Sequence, residues 1–413
     1  MAYRDEFKAL YVHWPFCRRR CNYCDFVSHC YDEVREPAGL YPQALREELR
    51  LYRAWAGELE SVYFGGGTPT VLPAEELCGL LSFIREHFLL RPDAEITVEA
   101  NPATVDEEYL QKLRAAGFNR LSLGAQSFQD KELKMLGRLH NAADIGEAVA
   151  AARLAGFANI SLDLLYALPG QELADVEYNL LAALRLEPEH ISLYSLQLDN
   201  DSIWGRQYAK GALVAADEDL EADMLAMSWQ LLREKGFIQY EIANFARRSQ
   251  RDYRSRHNRL YWQREDYLGV GLGAASCLFL RRWQNVGSLA DYVDSLLGLH
   301  RPPVAEEQLT MAQCMSEVMF MGLRQTAGVD IYPVIEHFRV DPLRYYAHEL
   351  PALYAAGLLE YVEDAHSLRL TPRGMLLANQ VFLSFIRDEE EDAQLAWRRR
   401  QQEEAARKRD IEI

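Results

Sequence analysis

Three cysteines lie close together near the start of the chain, in the spacing Cys17-x3-Cys21-x2-Cys24. Thiolates at this spacing can converge on a single inorganic centre. The chain has 7 cysteines in all, and the remaining ones are scattered along it: Cys30, Cys78, Cys277 and Cys314. An odd number in this distribution favours free thiols and metal ligands over disulfides, as in a reducing compartment.

Two kinds of inorganic centre fit this cysteine loop. A structural zinc ion takes four ligands, and His13 or His29 could complete a Cys3His set. A cubane iron–sulfur cluster held by three thiolates leaves one iron without a protein ligand. That open iron would be a place for a small molecule to bind, so the two alternatives predict different chemistry.

A second motif, Gly65-Gly66-Gly67-Thr68-Pro69, follows a candidate strand. Three residues without a Cβ atom let the main chain approach a ligand closely, and a proline fixes the exit of the turn. No Gly-Lys-Ser or Gly-Lys-Thr follows, so this is not a Walker-type phosphate loop. A tight turn without a ligand is the alternative.

Polar residues recur where candidate strands end. They are Glu99, Gln126, Asp163 and Gln197. In barrel enzymes the carboxyl ends of the strands form the active face, and the cysteine loop and the glycines lie at that same edge. We therefore expect a ligand site ringed by acceptors, with Arg138 as a cation if its side chain points inward.

The elements that would position these residues read as repeated strand–helix units. The candidate strands span residues 9–14, 61–64, 95–99, 120–124, 159–165 and 190–197. Gly117 and Gly156 fit the left-handed position that ends a helix before the next strand. The sequence predicts an α/β fold, an incomplete six-unit (β/α)6 parallel barrel.

Composition also predicts how the chain is divided. We expect a barrel over residues 1–210, an elaboration over 211–305, a C-terminal helical, winged-helix-like domain over 306–385 after the linker Pro302-Pro303, and a charged tail over 386–413 that is solvated or a frayed helix.

Charge and hydropathy exclude some functions. Lys and Arg number 45 against 62 Asp and Glu, a formal net charge of −17 that would repel a phosphate backbone. No apolar run reaches the ~18 residues that a membrane span needs, and the first residues do not resemble a secretory signal. We expect a cytoplasmic protein that does not bind nucleic acid.

The motifs together resemble a known family. Tyr11-Val12-His13-Trp14-Pro15-Phe16 followed by the three-cysteine loop and Asp25-Phe26 is similar to the radical S-adenosylmethionine superfamily, within it the oxygen-independent coproporphyrinogen oxidase-like group. Further segments match that group over about residues 8–385: Gly65-Gly66-Gly67-Thr68-Pro69, Glu99-Ala100-Asn101-Pro102, Gln126-Ser127-Phe128 and Leu136-Gly137-Arg138.

This resemblance implies a cofactor site. Cys17, Cys21 and Cys24 would hold a [4Fe-4S] cluster, and S-adenosylmethionine would chelate its open iron. By motif correspondence the nucleoside would be contacted by Tyr11, Gly66, Gly67, Thr68, Glu99, Gln126, Arg138 and Asp163. The exposed run Arg18-Arg19-Arg20 either attracts an anionic electron donor or has no role.

Two departures separate the chain from the decarboxylating oxidases. Those enzymes carry an additional cysteine where this chain has Phe26, and they have an extended segment before the cysteine loop, whereas 16 residues precede Cys17 here. The segment His257-Asn258-Arg259-Leu260-Tyr261-Trp262 instead matches the haem-chaperone branch of the group. The resemblance implies haem binding, with His257 as an iron ligand or, alternatively, as an ordinary loop histidine.

The sequence thus predicts a haem chaperone that delivers its cargo, haem, to respiratory haem proteins, with an electron donor as a further partner. A homodimer is one option, and membrane contact would be transient at most. The main alternative is a radical enzyme acting on coproporphyrinogen III or another tetrapyrrole, so the sequence leaves open whether the protein is an enzyme. A third is a scaffold whose cluster only stabilises a dimer.

Overall fold

The computed structural model describes residues 6–387. Its first half alternates strands and helices along the chain. The strands are β1 (Phe7–Trp14), β2 (Phe16–Cys17), β3 (His29–Cys30), β4 (Ala56–Gly66), β5 (Leu90–Ala100), β6 (Arg120–Gln126), β7 (Ile160–Tyr166) and β8 (His190–Ser195). The two-residue strands β2 and β3 pair with each other, and the other six form adjacent parallel strands of one sheet.

Six helices lie between these strands, and two of the six end at the predicted glycines. They are α1 (Arg35–Tyr52), α2 (Ala74–His87), α3 (Glu107–Ala116), α4 (Asp130–Leu136), α5 (Ala142–Leu154) and α6 (Leu173–Arg185). The Asp106 side chain caps α3 by accepting from Tyr109 N at 2.8 Å, and Gly117 follows with φ of 108°. Gly156 has φ of 88° after α5.

The six parallel units confirm the predicted incomplete α/β barrel. The strand order of the main sheet is β14-β13-β12-β11-β1-β4-β5-β6-β7-β8-β10-β9. Residues expected to be an elaboration therefore extend the barrel's own sheet at both edges. These added strands are β9 (Phe237–Gln239), β10 (Asn244–Arg247), β11 (Tyr267–Val270), β12 (Ala275–Leu278), β13 (Arg281–Asn285) and β14 (Val304–Gln308).

One of the added strands lies in a glycine-rich apolar segment, residues 268–274. Strand β11 pairs in parallel with β1, and Leu268 and Val270 are fully buried, as expected for a strand covered on both faces. The helices of this region are α7 (Ile203–Ala209), α8 (Glu218–Glu234), α9 (Arg256–Trp262) and α10 (Leu289–Leu297). The boundary predicted at residue 305 falls inside β14.

The C-terminal part has its own hydrophobic core. Its helices and short strands agree with the predicted helical, winged-helix-like domain. It contains α11 (Met311–Leu323), α12 (Ile331–Phe338), α13 (Pro342–Tyr345), α14 (Leu350–Ala355), α15 (Pro372–Leu376), α16 (Ala378–Leu383), β15 (Val329–Asp330), β16 (Leu359–Val362) and β17 (Ser367–Leu370). The three strands form a separate small sheet. Apart from its first two residues, the predicted charged tail lies outside the described residues.

The helices of residues 6–387 include none with the length and apolarity that crossing a bilayer would require.

A row of polar side chains crosses the main sheet near its middle. Tyr11 on β1 pairs in register with Tyr63 on β4, which pairs with Thr97 on β5, which pairs with Arg120 on β6. Thr97 and Arg120 are almost completely buried. Residues two positions further along these strands approach the carboxyl edge, where the cysteine loop begins.

Candidate functional site

The cysteine loop is fixed to the glycine motif through the main chain. Gly67 N donates to Trp14 O at 2.7 Å, and Thr68 N donates to Phe16 O at 2.8 Å. A Cβ atom on Gly67 would lie 2.7 Å from Phe16 O. The predicted close approach is therefore present, but the partner of Gly67 is the main chain that leads into the cysteine loop. The Thr68 hydroxyl also donates to the Cys17 sulfur at 3.5 Å.

Glu99 receives hydrogen bonds from the same motif. Gly66 N donates to Glu99 Oε2 at 3.1 Å, and the Tyr63 hydroxyl donates to Oε1 at 2.6 Å. Burial raises the pKa of Glu99 to about 7, against the opposing effect of the Tyr63 hydrogen bond. Gly66 has φ of 107°, and a Cβ atom there would overlap the His13 ring, so this position requires glycine.

Arg138 points inward, next to the cysteine loop. Its guanidinium donates to the Cys21 sulfur at 3.6 Å and to Gly124 O at 2.7 Å, and it also bonds the Asn101 side-chain oxygen. The Asn101 amide in turn donates to the Thr68 hydroxyl at 2.8 Å. A cation held in this way stabilises negative charge on neighbouring sulfur atoms.

Gln126 and Asp163 lie at different depths of the barrel. Gln126 ends β6 and has φ of 66°, a strained backbone position for a residue with a side chain and one that is typical of functional sites. Asp163 lies within β7 and accepts from Ser122 at 3.0 Å and from Ser161 at 3.2 Å. Burial raises the pKa of Asp163.

Tyr11 contacts the site through His13. The Tyr11 hydroxyl lies 2.9 Å from His13 Nδ1, and His13 Nε2 lies 3.0 Å from Val27 O. Burial lowers the pKa of His13 to about 4, so this imidazole is neutral at physiological pH. Its two nitrogens are engaged, which makes His13 a tether for the loop and a poor candidate for a zinc ligand.

The three thiols of the loop offer sulfur donors for an inorganic centre. Burial raises the pKa of Cys17, and it raises the pKa of Cys24 to about 11. Within residues 6–387 no three His, Cys, Asp or Glu side chains are gathered as ligands of one metal ion. A cubane held by this loop would take one thiolate on each of three of its irons, so the three sulfur atoms need not meet at a single metal atom. Three sulfur donors beside the Arg138 guanidinium suit an anionic iron–sulfur cluster.

His257 lies inside the barrel wall, on α9. Its Nδ1 shares a hydrogen bond of 2.9 Å with the Ser61 hydroxyl, and its Nε2 shares one of 2.8 Å with the Tyr261 hydroxyl. The ring stacks on Tyr63 with 4.9 Å between centroids, and the residue is 2% exposed. Burial, assisted by the charge of Arg120, lowers the pKa of His257 to about 3. Coordination of iron would require one of its two partners to release it.

The structure brings most of the predicted residues together and adds others. Cys17, Cys21, the glycine motif, Glu99 and Arg138 form one continuous hydrogen-bonded network through Asn101, whereas Gln197 is exposed beyond the end of β8. The sequence predicted no separate role for Tyr63 or Asn101, and for His13 only that of a possible zinc ligand. Their positions, alternating on two strands and directly after a third, were the signal that could have found them.

A parallel barrel with three thiols at its carboxyl edge defines a class of protein, and comparison with known families agrees with it. Residues 11–181 match the radical SAM superfamily, and residues 309–377 match the HemN C-terminal domain. Coproporphyrinogen III oxidase (HemN) from Escherichia coli shares the fold, with a TM-score of 0.77 at 24% identity over 93% of this chain and 91% of that one. The chain is a radical SAM protein.

Relatives at higher identity narrow the assignment. The heme chaperone HemW of Bacillus subtilis (strain 168) is 36% identical over 384 residues, which cover 92% of this chain and 99% of that protein. HemW of Mycobacterium tuberculosis (strain ATCC 25618 / H37Rv) is 35% identical over 386 residues, 92% of this chain and 94% of that protein. The chain therefore belongs to the HemW heme chaperone family.

Proposed function

We propose that this protein binds haem and delivers it to respiratory haem proteins, using a [4Fe-4S] cluster and S-adenosylmethionine. The observation that carries this proposal is the 36% identity to a heme chaperone over 99% of that relative's length. The similarity thus spans both the radical SAM part and the C-terminal part of the chain. Haem is the cargo, and the cytoplasm is the compartment in which we expect the protein to act.

The cofactor site follows from the family and from the donor set. Cys17, Cys21 and Cys24 would hold the cluster, and the nucleoside would lie against Tyr11, Gly66, Gly67, Thr68, Glu99, Gln126, Arg138 and Asp163. A reduced cluster supplies one-electron chemistry that cleaves the sulfonium of a bound S-adenosylmethionine. The protein positions and shields this site: Arg138 balances the sulfur charge, and Glu99 offers a buried carboxyl group near the edge of the sheet.

A second function, conversion of coproporphyrinogen III or another tetrapyrrole, is favoured by the shared fold with the oxidase. Phe26 argues against it. This side chain is 58% exposed at the position where the oxidases carry an additional cysteine. A hydrophobic residue there cannot supply the sulfur ligand or redox group that a cysteine would.

Several partners remain predictions. An anionic electron donor would meet the positive charge of Arg18, Arg19 and Arg20, and a homodimer would bring two such loops into one assembly. His257 also remains a predicted iron ligand, although in the structure both of its nitrogens are hydrogen bonded.

The test uses anaerobically reconstituted full-length protein. Titration with haem is expected to give a saturable Soret shift at one haem per chain. Incubation with coproporphyrinogen III, S-adenosylmethionine and a reductant is expected to give no product, with a coproporphyrinogen oxidase as the positive control. Turnover of coproporphyrinogen, or haem binding no stronger than that of an unrelated acidic protein, would overturn the proposal.

A further inference from the structure

The chain just after the third cysteine presents apolar side chains to solvent. Phe26 is 58% exposed and Val27 is 43% exposed, although they lie next to the buried edge of the barrel. Val27 is held in place because its carbonyl lies 3.0 Å from His13 Nε2. Two adjacent apolar residues on a fixed loop form a surface on which a flat apolar ligand could rest.

An available imidazole lies two residues further on. His29 is partly exposed, and its ring nitrogens have no hydrogen-bond partner among residues 6–387. Its main chain is fixed, because His29 N donates to Pro15 O at 2.7 Å and β3 pairs with β2. The neighbouring Cys30 is less available, since its sulfur donates to Arg18 O at 3.4 Å. The ring nitrogens of His29 are therefore available to bind a metal ion.

Positive charge borders the same surface. Arg18, Arg19 and Arg20 are all exposed on a chain whose net charge is −17. Arg20 donates to Asp201 O at 3.2 Å, whereas Arg18 and Arg19 make no side-chain ion pair within the described part of the chain. Arg18 adjoins Cys17, which pairs in register with Cys30. The arginines and His29 thus belong to the same corner of the loop, where guanidinium groups favour carboxylates.

We propose that haem docks on this outer surface of the cysteine loop, with His29 as an axial iron ligand. Phe26 and Val27 contact the porphyrin face, and Arg18 and Arg19 pair with the propionates. The inference rests on the proposed function, because it takes haem as the cargo. It differs in location from the predicted ligand His257, which is buried and bonded at both nitrogens.

The arrangement matches the chemistry of haem in three independent respects. Haem needs a donor for its iron, an apolar contact for its ring and cations for two carboxylates. All three are present within residues 18–29, and docking there requires no opening of the barrel. It also places the cargo directly against the loop that would hold the cluster.

The test of the ligand is a haem titration of reconstituted protein carrying its cluster. His29→Ala is expected to weaken haem binding roughly tenfold or more and to change the Soret position and the electron paramagnetic resonance signal of ferric haem. His348→Ala, an exposed histidine of the C-terminal part, is the matched control and should leave both unchanged. An unaltered cluster band in His29→Ala shows that the loop remains intact.

A second titration distinguishes the two candidate histidines. His257→Gln keeps a polar group in the barrel and is expected to change haem affinity by less than about twofold. If His29→Ala binds haem like the parent while His257→Gln loses it, the inference is overturned and the proposed function stands. If the parent itself does not bind haem, both are overturned.

The propionate contacts have their own probe. The double variant Arg18→Glu/Arg19→Glu should bind haem roughly tenfold more weakly than the parent, and the two proteins should bind haem dimethyl ester alike. The control is Arg53→Glu, which changes an exposed arginine at the end of α1. An equal loss with the diester would contradict the pairing, because the diester has no carboxylates.

Discussion

The outer surface of the cysteine loop and the barrel interior around His257 both place an imidazole beside aromatic or apolar side chains. In the interior, His257 is 2% exposed, stacks on Tyr63 and shares hydrogen bonds with Ser61 and Tyr261. On the loop, His29 is partly exposed and its nitrogens have no partner within residues 6–387. His257 would have to give up a hydrogen bond before it could bind a ligand, whereas His29 would not.

The two regions also differ in what their hydrogen bonds hold together. The interior bonds join strands and α9, so they stabilise the fold. At the carboxyl edge the bonds of Thr68 and Arg138 end on sulfur atoms, so they stabilise a charge that the metal centre would bring. Substitutions at the carboxyl edge should therefore cause loss of the metal centre. Substitutions in the interior should lower the stability of the fold.

The largest effect is expected at the edge. Cys21→Ala should abolish the ~400 nm absorbance of the cluster in reconstituted protein, because a cubane held by two thiolates lacks a ligand for a second iron. Cys78→Ala is the matched control, since Cys78 lies on α2, away from the loop, and its sulfur donates to Lys112 O at 3.6 Å. Retention of the full cluster band in Cys21→Ala would show that this cysteine is not a ligand.

A smaller effect at the same edge is expected for Arg138→Met. The variant leaves the Asn101 and Gly124 oxygens without their donor, which costs about 2–3 kcal/mol, and removes the cation beside Cys21. Iron content after reconstitution should fall and the cluster should be lost faster in air, with partial recovery in Arg138→Lys. Equal iron content and equal lifetime in all three proteins would contradict this role.

The effect expected in the interior leaves the cluster in place at pH 7 and appears only as pH falls. The pKa of His257 is about 3 in the folded protein against 6.5 in the unfolded chain. Between these values the unfolded chain binds the extra proton, so stability falls as pH drops below about 6.5. This imidazole lowers the free energy of unfolding by on the order of 2–3 kcal/mol as the pH falls from 6.5 to 4.5.

His257→Gln removes that contribution while keeping a polar side chain. Urea unfolding at pH 7 and at pH 5 should show a smaller acid-induced loss of stability in the variant than in the parent, and a similar amount of bound cluster at pH 7. His348→Gln, at an exposed position, should not change the pH dependence. Parallel pH profiles for the parent and His257→Gln would show that His257 is not buried as a neutral group.

Much of this architecture could be predicted from local sequence. The six strands of the barrel, the helix ends at Gly117 and Gly156 and the cysteine and glycine motifs all follow from periodicity and spacing over a few residues. The added strands could not be predicted, because β11 pairs with β1 more than 250 residues earlier in the chain. Such pairing has no local signal in the sequence.

The candidate site also has a part that the sequence predicts and a part that it does not. Cys17, Gly67 and Thr68 are close in space because their motifs follow adjacent strands, which the sequence predicts. The bridge from Thr68 through Asn101 to Arg138 needs three separate segments to meet, and the burial of His257 depends on how α9 packs against β4. Only the structure shows these relations.

The most direct measurement is a count of iron, acid-labile sulfide and zinc in protein prepared without oxygen. The account predicts about four iron and four sulfide per chain, with no zinc, and their loss in Cys21→Ala. One zinc per chain without sulfide would contradict it.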